Sequence, residues 1–214
     1  MGLSGSGKGT QALKLEQRRG FVHIESSKVI EDRFASQAGD PVIERERARK
    51  AAGDIVATEL VSVWMLDAIA EWASTGASLV FSGSPRTVYE AQSQLPMLRQ
   101  FYRIWNVHAF HLQVDPEIAK VRSLVRRVCE AHQHPVPPEY AGTACPVDGS
   151  WLKVRDDDSD PAKVAFRHSK FEEQTAPVLQ YLAENGCPPV DVPAGRSPEE
   201  VHVFITDVLD RHRS

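Results

Sequence analysis

Gly2-Leu3-Ser4-Gly5-Ser6-Gly7-Lys8-Gly9-Thr10 opens the chain, with four glycines among its nine residues. It matches the phosphate-loop pattern G-x-x-x-x-G-K, with Thr10 one place later than the usual Ser/Thr. Glycine frees the backbone so that several N–H groups can turn toward one anion, and a helix starting there adds its positive end. Lys8 supplies a point charge for phosphate oxygens. The competing reading is a flexible Gly/Ser-rich terminus. It is disfavoured because Ala12, Leu13 and Leu15 follow at roughly helical spacing, with a stop at Gly20. Such a loop normally follows a buried central strand, and here only Met1 precedes it. The expectation is a sheet whose first strand is truncated.

Working outward from the loop, short apolar runs alternate with helical periods. Phe21–Ile24, Ala77–Phe81, Val107–Val114 and Pro189–Val192 read as strands. Helices are predicted over 7–19, 26–38, 42–52, 58–74, 87–100, 116–128, 162–184 and 198–211. In the fourth of these Thr58 is a plausible N-cap, and Leu60, Val61, Trp64, Met65, Ala68 and Ile69 form one face. Trp64 and Trp72 on that helix read as core residues. Residues 129–154, rich in proline and glycine, read as an irregular inserted lobe. Strands alternating with helices mean a parallel sheet covered on both faces, an α/β fold in three layers.

Composition excludes other classes. The chain has 214 residues, apolar residues are 42 % and the formal charge is −4. A length near 200 buries enough surface for one domain without a disulfide or metal staple. A mildly acidic chain is a poor grip for a nucleic-acid backbone or an anionic membrane, and no apolar run approaches the ~18 residues of a membrane span. Met1-Gly2-Leu3-Ser4-Gly5 is no signal peptide, and Cys129, Cys145 and Cys187 do not make a disulfide framework. A reducing cytoplasm suits them.

Gly-Ser-Gly-Lys-Gly-Thr-Gln at 5–11 is specific enough to carry a resemblance. The chain resembles the adenylate kinases and their nucleoside monophosphate kinase relatives nearly end to end. Gly53-Asp54-Ile55-Val56 is similar to the family's substrate-side loop, and Ser82–Thr87 to its D-G-F-P-R-T segment. Arg122–Arg127 is similar to the arginine-rich stretch before the lid, and Arg155–Asp158 with Arg167 to the R-x-D-D segment and the arginine after it. Gln174–Pro177 and the stretch Val190–Pro198 echo the last helices and the adenine loop. The resemblance implies a P-loop NTPase fold over 1–214, with an acceptor lobe near 26–57 and a lid near 127–156. It implies transfer of the γ-phosphoryl of ATP-Mg to a nucleoside monophosphate, AMP by default, in a cytoplasmic monomer that binds neither nucleic acid nor membrane. Lys8, Arg86, Arg126, Arg155 and Arg167 would serve transfer. Gly5, Ser6, Gly7, Lys8, Gly9, Thr10, Arg122, Arg126 and Arg196 would bind ATP, and Ser26, Glu31, Val56, Gly83, Arg86 and Glu90 the acceptor. The chemistry agrees: phosphoryl transfer needs in-line positioning, positive charge and exclusion of water rather than a protein nucleophile.

Departures gather on the acceptor side. The family's S-T-G-D-x-x-R reads Glu25-Ser26-Ser27-Lys28-Val29-Ile30-Glu31, so a phosphate-binding arginine has become a carboxylate. Glu90 stands where the family reads adenine with glutamine, and Ser82 where it orients magnesium-bound waters with aspartate. In the lid, Cys129-x-x-His132 and Cys145-x-x-Asp148 fall where some members carry a metal knuckle. Cys129, His132, Cys145 and Asp148 are an acceptable structural zinc set, and a purely hydrogen-bonded lid is the alternative. Two rival functions stay open: a P-loop kinase for another small acceptor, and a degenerate ATP-binding regulatory protein.

Overall fold

The computed structural model describes the chain except residues 52–53, 132–133, 137–139, 155–157, 159 and 212–214. Its first helix, α1 (Lys8–Arg19), begins at Gly7 and ends at Gly20, both in left-handed conformation. β1 (Val22–Glu25), α2 (Ser26–Ser36), α3 (Pro41–Ala51), α4 (Thr58–Ala73) and β2 (Leu79–Ser82) follow. Next come α5 (Val88–Tyr102), β3 (Phe110–Gln113) and α6 (Pro116–Leu124). Three short strands, β4 (Arg127–Cys129), β5 (Pro135–Val136) and β6 (Leu152–Val154), form a small separate sheet in the stretch expected to be the lid. The chain closes with α7 (Pro161–Lys170), a π-helical turn (Phe171–Thr175), α8 (Ala176–Glu184), β7 (Val190–Pro193) and α9 (Pro198–Arg211).

β1 pairs parallel with β2, Val22 opposite Leu79, and β3 pairs parallel with β7, Phe110 opposite Val190. Alternate peptide groups of a strand face opposite edges. The edge of β3 away from β7 is met by Met1, whose nitrogen donates to the Phe110 carbonyl and whose carbonyl accepts from Leu112 N at 2.8 Å. Among the described residues Met1 alone pairs with that edge, the place of the expected middle strand. Side chains still join the two strand pairs. Leu15 of α1, Leu112 of β3 and Val192 of β7 share one apolar cluster with Val80 of β2 and with Val201 and Ile205 of α9. On the other face Ala91 and Leu95 of α5 pack with Val178 and Leu182 of α8 and with Met1. Helices therefore cover both faces, as in a three-layer P-loop α/β fold.

Several expectations need correction. The helix predicted over 116–128 stops at Leu124, because Arg127–Cys129 is drawn into the lid sheet in the order β5-β4-β6, with antiparallel neighbours. The helix over 162–184 runs as α7 and α8 joined through one π-helical turn at 171–175. Thr58 is inside α4 rather than capping it. The cap position is Ala57, whose N–H donates to Glu46 Oε2 at 2.9 Å. Trp64 is buried edge-on to Phe34, whereas Trp72, two turns further along α4, is 42 % exposed.

Two histidines, His202 buried and His23 half-buried, make stability depend on pH. Burial, and then the nearby Arg18 and Lys14, lower the pKa of His202 below 6.5. Burial does the same to His23, opposed in part by Glu25. Both are favoured neutral in the fold, so their contribution is complete above the unfolded value and is lost as pH falls through the folded one. Thermal melts should show Tm level from about pH 8 to 7 and declining below about 6.5. The decline should be shallower in His202→Leu. A parallel decline in that variant would remove His202 from the account.

Candidate functional site

The phosphate loop is shaped by where its glycines must pass. Gly5 has φ 84°, and a methyl group there would lie 2.0 Å from the Ala119 carbonyl of α6, so only glycine fits. Lys8 Nζ curls over the loop and donates to the Gly2 and Leu3 carbonyls at 2.7 Å each. Gln11 ties α1 to α9 through the Pro198 carbonyl at 2.8 Å. A methyl group at Gly9 would lie 3.7 Å from Pro135, so β5 of the lid overhangs the start of α1. Gly5, Ser6, Gly7, Lys8, Gly9 and Thr10 thus form one turn beneath the lid.

Across from it, the segment after β2 is cross-braced. Ser26 Oγ donates to the Gly83 carbonyl at 2.8 Å, and the Arg86 guanidinium donates to that carbonyl at 2.6 Å and to Ser26 Oγ at 3.2 Å. A methyl group on Gly83 would sit 2.7 Å from Ser26 Oγ. Thr175, from the π-helical turn, donates to the Arg86 carbonyl at 2.9 Å. Ser26, Gly83 and Arg86 are therefore brought together as the sequence predicted.

Glu90 turns inward rather than lining an open acceptor face. It is buried, and its Oε2 accepts from the Arg86 N–H at 2.9 Å and from Ser84 Oγ at 3.0 Å. Burial raises its pKa, while those hydrogen bonds pull the other way. Gln94 completes the group from the next turn of α5, 2.8 Å from Ser84 Oγ. Glu31 is half exposed and paired with Lys50 of α3. Val56 is buried in the acceptor-lobe core beside Phe34 and Trp64. Sequence reasoning missed Glu46, which is buried in a helix that reads as charged all round. It holds the 54–57 turn through Ala57 N, and Arg49 lies 3.3 Å away.

At the base of the lid, Asp158 is fully buried between two guanidiniums. Arg126 Nε donates to Oδ2 at 2.7 Å, and Arg167 Nη2 pairs with Oδ1. Arg155 lies outside the described residues. Arg122 donates to the Ala194 carbonyl at 2.8 Å, tying α6 to the loop after β7, where Arg196 is exposed. His23 Nε2 lies 2.6 Å from Ser82 Oγ, an imidazole–hydroxyl pair at the end of β2.

Within the lid, Cys129, His134, Cys145 and Asp148 place their donor atoms within 4.8 Å of one another. His132 lies outside the described residues, and among the described ones His134 joins the two thiols and the carboxylate. It does so because the antiparallel turn from β4 to β5 brings residue 134 back over residue 129, the Cys129 N–H donating to the His134 carbonyl at 3.1 Å. His134 Nδ1 is 3.2 Å from Asp148 Oδ2 and 3.7 Å from Cys145 Sγ. The sulfurs also receive backbone N–H groups, His134 N on Cys129 at 3.2 Å and Val147 N on Cys145 at 3.4 Å. A glycine-rich loop at a helix start, overhung by β5, together with an arginine-bearing segment after a parallel strand, has the parts of a P-loop nucleotide phosphotransferase.

Comparison with known proteins narrows the class. The adenylate kinase family model matches residues 1–187. An adenylate kinase of Rhizorhabdus wittichii is 34 % identical over 194 residues, spanning 87 % of this chain and 86 % of that protein. One of Symbiobacterium thermophilum is 31 % identical over 191 residues with the same coverage, and one of Gemmatimonas aurantiaca is 30 % identical over 210 residues, 98 % of this chain and 96 % of that one. The chain belongs to the adenylate kinase family, and it is a phosphotransferase acting as a nucleoside monophosphate kinase.

Removing the Asp158 carboxylate would take a fully buried counter-charge away from Arg126 and Arg167. Asp158→Ala should lower unfolding free energy in urea by about 3 kcal/mol. A loss within the ~0.5 kcal/mol range of an ordinary surface change would show that the arginines repartner freely.

Proposed function

We propose that the chain transfers the γ-phosphoryl of ATP-Mg to AMP, as a cytoplasmic monomer. The observation that carries this reading is the pairing of two braced elements. The glycine loop is held so close to α6 that no side chain intervenes at Gly5, and the Arg86 guanidinium is pinned beside Ser26 and Gly83. Lys8 and the backbone of Gly5–Thr10 cradle the donor phosphates, while Arg86, Arg126, Arg155 and Arg167 spread positive charge along the transfer path. Arg122 and Arg196 serve the adenine side, the former by holding the 194–195 turn. Ser26, Gly83, Val56 and Arg86 form the acceptor side, and Lys50 neutralises Glu31 so that its carboxylate does not repel the acceptor. Glu90 works by fixing the Arg86 backbone rather than by reading the base.

Ser82 Oγ and His23 Nε2, 2.6 Å apart at the end of β2, would hydrogen-bond the waters of a magnesium ion brought with ATP, which would supply charge for the phosphates. The cytoplasmic assignment is supported by three cysteines that lie outside any disulfide. Among the described residues no helix is long and apolar enough to cross a membrane.

Lys8→Ala should reduce kcat by about a hundredfold or more without changing the far-UV circular dichroism, because Lys8 acts on phosphate. A coupled assay with ATP-Mg against a panel of nucleoside monophosphates tests the acceptor, with AMP expected to give the highest kcat/KM. Turnover with none of them would favour a degenerate ATP-binding protein. A higher kcat/KM for another acceptor would overturn AMP alone.

The lid reading is a structural zinc held by Cys129, His134, Cys145 and Asp148. Two thiolates, an imidazole and a carboxylate would supply a four-ligand zinc set, and backbone N–H groups are directed at both sulfurs. Elemental analysis of protein purified without added metal should find about one zinc per chain, lost in His134→Ala and kept in His132→Ala. Less than about a tenth of an equivalent would leave the hydrogen-bonded lid.

A further inference from the structure

His168, on α7, is used by none of the roles above, yet it touches the phosphate loop. Its Nε2 lies 3.1 Å from the Ser4 carbonyl oxygen. A carbonyl only accepts, so Nε2 carries the hydrogen, whichever charge state the ring has. The other carbonyls at this end of the loop are satisfied from within it: Gly2 and Leu3 by Lys8 Nζ, and Leu3 again by Ser6 N at 3.1 Å. Ser4 draws its carbonyl partner from a different element.

The consequence follows from peptide planarity. In a trans amide the C=O of one residue and the N–H of the next point in opposite directions. Holding the Ser4 carbonyl toward α7 therefore aims the Gly5 N–H away from α7. Gly5 cannot hold that plane by sterics, because its φ of 84° belongs to a residue free to turn. Nor can a bulkier residue replace it, with Ala119 O 2.0 Å from where a methyl would be. Ser123 Oγ, 3.3 Å from Ser4 Oγ, restrains the side chain and leaves the peptide plane to another contact. We propose that His168 is a positioning residue for phosphoryl transfer, locking the Ser4–Gly5 peptide so that the Gly5 N–H is presented to a donor phosphate. The proposal rests on the donor-loop reading given above. It also places the lock one residue after Arg167, so the helix that pairs with Asp158 at the lid base steadies the loop as well.

Steady-state kinetics of two variants test it. His168→Leu removes the donor and keeps an apolar, helix-compatible side chain; His168→Gln restores an N–H at similar reach. His168→Leu should raise KM for ATP about fivefold, the worth of one hydrogen bond, with acceptor KM within about twofold of the parent. His168→Gln should return the ATP KM to within about twofold. An unchanged ATP KM in His168→Leu, equal damage to both substrates, or failure of His168→Gln to restore binding would each overturn the lock. The Gly5 amide resonance gives a second readout without turnover, expected to shift in His168→Leu and return in His168→Gln; no shift overturns the proposal. Lys8→Ala separates this from the underlying reading. Loss of transfer there with no effect at His168 refutes the lock alone, whereas full activity of Lys8→Ala refutes the donor loop itself.

Discussion

One buried carboxylate organises the working end of this molecule. Asp158 sits without solvent between Arg126, just before the lid sheet, and Arg167 of α7. An isolated charge in that position would be costly, so both guanidiniums are held in place by the need to satisfy it. The lid leaves the core after Arg126 and returns at Asp158, and one interaction therefore pins both of its ends. α7, fixed by the same interaction, then carries His168 to the phosphate loop. The inserted sheet, α7 and the glycine loop share a single electrostatic anchor.

Elsewhere, too, carboxylates take partners from within the chain. Glu90 binds the Arg86 backbone, Glu46 binds the turn before α4, and Glu31 meets Lys50. Each departure from the family pattern has acquired a partner within the chain. At position 31 the carboxylate's field is compensated in part by the Lys50 ammonium beside it. Arg122 shows the complementary point, since an arginine placed at family spacing spends its hydrogen bonds on the 194–195 backbone.

Much of this was legible in the sequence. The glycine loop, the helix after it, the strand–helix alternation and the arginines at 86, 126 and 167 are local or repetitive signals. Backbone freedom, periodicity and charge are properties of residues in order along the chain. The three layers follow from them, because strands linked by helices have few ways to pack. The rest depended on which distant residues meet. Residues 127–129 read as the end of a helix, and became strand only because two other segments offer backbone partners. Thr58 loses its capping place because Glu46, eleven residues back, claims the N–H of Ala57.

The lid ligands show the boundary most plainly. Cys129, Cys145 and Asp148 were visible as spaced donors, yet spacing alone pointed to His132, whereas the turn between β4 and β5 brings His134 to the thiols. His168 carries no sequence signal at all, being one polar residue in an ordinary helix. By itself the sequence determined the donor loop, the layered architecture and the charges available for transfer, since these arise from local conformation and composition. Only the tertiary structure decided which histidine faces the cysteines, which carboxylates turn inward and which helix holds the Ser4 carbonyl. Hydrogen bonds and ion pairs are short-ranged and directional, and their partners are chosen only when the chain has folded back on itself.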